Sequence, residues 1–162
     1  MKRDTHISNL ASLAQIGRLL SICILLSVAL SVKSQDANSA LTVIGNSKGV
    51  PVSLSLAELK SVFLAERQRW PDGTKVIIAM IKSTAPLGKV VSKRIYSMTG
   101  DEVRGFWAGV SFAGKFESPV TFNTDSELES YVSQTPGAIA ILDKAPEAAE
   151  VKTVLINGKK TF

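Results

Sequence analysis

KVIIAMI at residues 75–81, followed by KSTAP at 82–86, decides how this chain folds. The first stretch is apolar from Val76 onward without alternation. That is the pattern of a strand buried on both faces of a sheet. Lys82, Ser83 and Thr84 then form a short polar loop, and Pro86 suits the first turn of a helix. Strand, hydroxyl-bearing loop and helix start therefore follow one another directly. Leu87, Val90, Val91, Ile95 and Met98 line one side of the expected helix, and Gly100 is read as its end.

The same alternation extends in both directions. Upstream, LTVIG at 41–45 reads as another buried strand, and Asn46 to Gly49 as a loop. Ser55 and Glu58 have capping-box spacing and open a helix with Leu56, Leu59, Val62 and Phe63 on one face. Trp70-Pro71-Asp72-Gly73 is a turn cluster. Downstream, Thr99 and Glu102 offer a second capping box, for a helix carrying Val103, Phe106, Trp107 and Val110. Val120–Phe122 is a short strand. A further helix starts between Thr124 and Ser126 and ends at Pro136-Gly137. AIAIL at 138–142 and Val151–Ile156 are strands, and Asn157-Gly158 is a tight turn. Strands alternating with helices predict an α/β layered domain over residues 41–162.

Residues 1–34 read differently. Lys2, Arg3 and Arg18 precede an uncharged apolar run, Leu19–Val32, and Val32-Lys33-Ser34 offers a cleavage site before Gln35. This is the order of a cleaved export signal, with 35–40 as a short linker. A retained membrane anchor is the alternative. As a helix, Leu19–Val32 spans about 21 Å against roughly 30 Å of hydrocarbon.

The leader holds the only His, His6, and the only Cys, Cys23. Its removal excludes thiolate nucleophiles, Ser-His-Asp triads, the usual zinc sites and haem ligation by His or Cys. No catalytic residue, metal site or cofactor is expected, and no disulfide supports the fold. Of the 19 basic residues, four lie in the leader, and of the 14 acidic ones only Asp4 does, so the remainder stands at +2. Scattered charge of that size makes no basic stripe, and nucleic acid is not an expected partner.

What remains is an anion site. A helix start carries unpartnered N–H groups and partial positive charge. Ser83 and Thr84 add hydroxyls there, and Lys82 adds a full charge. Asn46 and Ser47, after the first strand, are candidates for the same crevice, because ligands of open α/β sheets lie beyond strand carboxyl ends. The alternative is that Ser83 or Thr84 only caps the helix and that Asn46 and Ser47 form an ordinary turn. Trp70 and Trp107 are either exposed partner anchors or core.

Three segments resemble one family. Leu54–Leu64 with Trp70-Pro71-Asp72-Gly73, then Gly105-Phe106-Trp107 through Phe112-Ala113-Gly114-Lys115, then Tyr131–Ile139 with Pro136-Gly137-Ala138, resemble motifs of phosphate-type substrate-binding proteins of ABC importers, the second matching small single-lobe members. The resemblance implies a periplasmic-binding-protein-like (type II) α/β lobe, a mixed sheet flanked by helices. It implies a periplasmic protein with weak or vestigial binding of phosphate or another oxyanion, and the lack of His, Cys and any paired-carboxylate pattern in residues 35–162 argues against an enzyme. A ligand-free adaptor for a membrane transporter or sensor is the alternative. Full-length phosphate binders have two lobes, and the glycine between the phosphate-loop hydroxyls is missing between Ser83 and Thr84. The sequence leaves the oligomeric state open.

Overall fold

The computed structural model describes residues 40–162. The expected export signal at 1–34, and nearly all of the linker at 35–40, lie outside the described residues.

Six strands form one mixed sheet. They are β1 (Thr42–Asn46), β2 (Ser53–Leu54), β3 (Ile77–Ile81), β4 (Val120–Phe122), β5 (Ala138–Leu142) and β6 (Val151–Ile156). Their spatial order is β2-β6-β1-β5-β3-β4. β3 runs parallel to both β4 and β5, whereas β1 runs antiparallel to β5 and β6. Among the described residues four α-helices join them: α1 (Leu56–Phe63), α2 (Pro86–Val91), α3 (Gly100–Phe112) and α4 (Asp125–Gln134).

Successive residues of each central strand enter opposite cores. Val43, Ile78, Met80, Ile139 and Ile141 pack with α1, α2 and α3 through Leu59, Phe63, Val91, Val103 and Trp107. Ile44, Ala79, Ile81, Ala140 and Leu142 pack against α4 through Leu128 and Val132. Both faces of β3 are covered, which is why 76–81 shows no polar alternation.

Three helices start on the capping boxes of Ser55/Glu58, Thr99/Glu102 and Thr124/Glu127. The second helix differs from expectation. After Val91 the chain widens into a π-helical segment, Ser92–Tyr96, with the Ser92 hydroxyl donating to the Gly88 carbonyl at 2.8 Å. Such back-bonding competes with the regular ladder. The segment ends at Ser97 in the left-handed region (φ 58°), and Gly100 is the first residue of α3 rather than the breaker. β2, two residues long, carries too little pattern to be read from sequence.

Trp70 and Trp107 are both core. The Trp70 indole N–H donates to the Gly137 carbonyl at 2.8 Å, and that of Trp107 to the Tyr96 hydroxyl at 3.0 Å. Burial holds the Tyr96 phenol well above its usual pKa.

Candidate functional site: the loop after β3

β3 delivers the chain to Lys82, whose amide donates to the Phe122 carbonyl at 3.0 Å, tying the loop to the end of β4. The Ala85 amide then donates to the Lys82 carbonyl at 2.9 Å and closes the turn. Two glycines press this loop into place. A Cβ at Gly88 would stand 2.1 Å from the Lys82 carbonyl oxygen, and one at Gly100 would stand 2.8 Å from that of Ser83. Any side chain at Gly88 would force the first turn of α2 away from the loop.

Neither Ser83 nor Thr84 caps α2. The N-cap is Ala85, which makes no side-chain capping bond. The Ser83 Oγ is engaged instead by a residue from α3. The Arg104 Nη1 donates to it at 3.3 Å, and the same guanidinium holds Asp101 at 2.5 Å. Arg104 is exposed, so Asp101 offsets only part of its charge.

Two depressions meet at Ser83, Thr84 and Arg104. The wider, about 960 Å³, is bordered by Lys89 and Lys93 on one side and by Asp101 and Glu102 on the other. The Thr99 backbone amide donates to Glu102 and holds its carboxyl below the usual carboxylate range. The narrower, about 440 Å³, runs between α3 and the edge strand β4 past Lys82, Trp107, Ala108 and Pro119. Among the described residues there is no group of three or more His, Cys, Asp or Glu that could hold a metal ion.

The five residues singled out from sequence do not converge. Lys82, Ser83 and Thr84 lie together beyond the carboxyl end of β3. Asn46 and Ser47 lie at the opposite end of the sheet. β1 is antiparallel to β5, with Gly45 opposite Ile139, while β3 is parallel to β5, with Ile78 opposite Ile139. The end of β1 is therefore level with the start of β3, and the length of β3, about 13 Å, separates the two sets.

Asn46 also has other work. It is buried, and its Nδ2 donates to the carbonyls of Val132 and Ser133 at 2.8 and 2.9 Å, while its Oδ1 accepts from the Lys48 amide at 2.8 Å. It terminates α4 by satisfying two of its last carbonyls. The Ser47 hydroxyl donates to Glu150 at 3.0 Å. The crevice reading of these two is corrected accordingly. Sequence reasoning missed Arg104, which lies 21 residues from its partner Ser83. No local spacing rule joins them.

No protein-family model matches the chain, and none of the curated proteins is detectably similar to it in sequence. Solved structures are similar in fold. An ABC-type phosphate transport receptor from Vibrio cholerae matches with a TM-score of 0.59 at 9% identity, over 76% of this chain and 48% of that one. A phosphate-bound substrate-binding protein assigned to phosphate ABC transport in Clostridium perfringens matches at 0.56 and 12% identity, over 74% and 46%. PstS from Borrelia burgdorferi matches at 0.50 and 12%, over 74% and 48%. The chain thus has the fold of phosphate-transport substrate-binding proteins, a periplasmic-binding-protein-like α/β lobe. It spans about half the length of each of these neighbours.

Proposed function

We propose that this chain is a solute-binding module for a small oxyanion, phosphate or a close analogue, held at Lys82, Ser83, Thr84 and Arg104. One observation carries the reading. A guanidinium from α3 and a hydroxyl from the loop after β3 meet at a strand carboxyl end, in a fold whose solved neighbours are phosphate receptors. A ligand oxygen entering between them replaces the 3.3 Å contact with two shorter charge-assisted bonds. The site is open on one side, so affinity is modest. About 4 kcal/mol gives a millimolar Kd. We read the module as a binder and not an enzyme, exported by residues 1–34 and working in the periplasm. Among the described residues no helix is long and apolar enough to cross a membrane.

Calorimetric titration of the purified chain with inorganic phosphate tests the site. Binding that Arg104→Ala weakens supports it. Absence of heat and of any thermal shift at 10 mM phosphate or sulfate removes it. The intact mass of protein recovered from the cell envelope tests export, since a species starting at Gln35 is expected.

A further inference from the structure

We infer that the bound anion is an organic one, a phosphonate or phosphate monoester carrying a short apolar substituent. This rests on the anion site just proposed. The argument comes from the groove that leaves that site between α3 and β4. Its walls are Met80, Val103, Trp107, Ala108 and Pro119, and its mouth is the cluster of Ser83, Thr84 and Arg104. Two cations, Lys82 and Arg104, border it, and no carboxylate does. The wider depression on the other side is nearly balanced, with Asp101 and Glu102 set against Lys89, Lys93 and Arg104.

An anionic head is therefore drawn to the groove side of Ser83, where Lys82 adds its charge to that of Arg104, itself partly offset by Asp101, and no carboxylate borders the walls. Inorganic phosphate fills only the mouth and leaves the apolar walls in water. A head group with a phenyl-sized substituent covers both. The volume, about 440 Å³, is that of a small-molecule site. Apolar walls with a few convergent polar groups at one end are the usual make-up of such a site. The α3 wall is rigid at the groove, because Trp107 is buried and hydrogen-bonded to Tyr96. The outer wall is exposed at Ala108 and Thr121, so a substituent enters without displacing core.

The test titrates the full chain with inorganic phosphate and with phenylphosphonate. Phenylphosphonate is expected to bind at least about tenfold more tightly, a gain of about 1.4 kcal/mol. Ala108→Trp, which fills the groove from the exposed side of α3, should erase that advantage and leave the phosphate Kd unchanged. Thr121→Trp, from β4, should do the same and guards against a folding defect in the first variant. Arg104→Ala should weaken both ligands. Equal Kd values for the two ligands, or a phenylphosphonate advantage that survives both groove-filling changes, overturns the inference and leaves the oxyanion site standing. Phenylphosphonate binding indifferent to Arg104→Ala shows adhesion to the groove without a head-group site and also overturns it. Binding of neither ligand removes the inference and the site together.

Discussion

The side-chain amide of Asn46 donates to the carbonyls of Val132 and Ser133, joining the last residue of β1 to the last turn of α4 across 86 and 87 positions of sequence. The bond to Val132 is buried and that to Ser133 partly so, and together they complete a helix end that has no glycine cap. The C-cap of α4 is Thr135, in extended conformation.

Replacing Asn46 by Ala leaves the Ser133 carbonyl and the Lys48 amide without their Asn46 partner, and the Val132 carbonyl with only the 3.4 Å bond from the Thr135 amide. An unsatisfied buried polar group costs about 1–3 kcal/mol, so Asn46→Ala is expected to lose about 2–3 kcal/mol in urea denaturation. Anion titration should be unchanged, because the residue lies a sheet length away from Ser83. A loss of anion affinity at unaltered stability would return Asn46 to the site.

Arg104 predicts the opposite separation. Its side chain is exposed and its ion pair with Asp101 is a surface pair, so Arg104→Ala should change stability by less than about 0.5 kcal/mol. Phosphate affinity should fall about tenfold or more, as expected for removal of a charge-assisted bond. Arg104→Lys should fall between the two, since an ammonium keeps the charge without the planar fork. Comparing Kd with melting temperature for the three proteins checks this.

Gly88→Ala reverses an ordinary rule. Alanine in a helix is normally better than glycine by about 0.5–1 kcal/mol. Here the added Cβ would stand 2.1 Å from the Lys82 carbonyl oxygen, a backbone atom that cannot rotate away. A loss of about 1–3 kcal/mol is expected from overpacking. Because the displaced atom belongs to the loop of Ser83, anion affinity should fall with it. A stabilised Gly88→Ala variant would show that the loop yields freely.

Acid should weaken the fold through the capping boxes. The carboxyls of Glu58 and Glu102 have lowered pKa values, chiefly because the backbone amides of Ser55 and Thr99 donate to them. A carboxyl whose folded pKa is depressed adds stability that is present above its unfolded value and lost as pH falls through the folded one. Thermal stability should therefore drop as pH falls through and below the ordinary carboxylate range. Glu102→Gln keeps a side-chain acceptor for the Thr99 amide but cannot titrate. Its melting temperature should vary less with acid pH than that of the unsubstituted chain.

Much of the architecture could be read along the chain because it rests on local signals. The uninterrupted apolar run at 76–81 marked a strand covered on both faces, AIAIL at 138–142 marked another strand, and Ser or Thr three residues before Glu marked the helix starts at Ser55 and Thr99. The helix after Pro86 was half legible. Its start followed from proline, but its end at Ser97 did not, because a non-glycine residue in the left-handed region gives no compositional sign. The loop of Lys82, Ser83 and Thr84 was legible as a polar gap between an apolar strand and a proline.

The sequence by itself determined most strands and helices, β2 and the π-helical Ser92–Tyr96 excepted, since periodicity, caps and turns act over a few residues. Strand direction was decided only in three dimensions. The antiparallel setting of β1 carried Asn46 and Ser47 to the far end of the sheet, although both follow a strand as Lys82 does. Tertiary packing likewise brought Arg104 to Ser83, through the close approach of Gly100 to the loop. Contacts between residues tens of positions apart depend on how whole elements cross. That crossing is set by burial of both sheet faces at once, and no short stretch of chain encodes it.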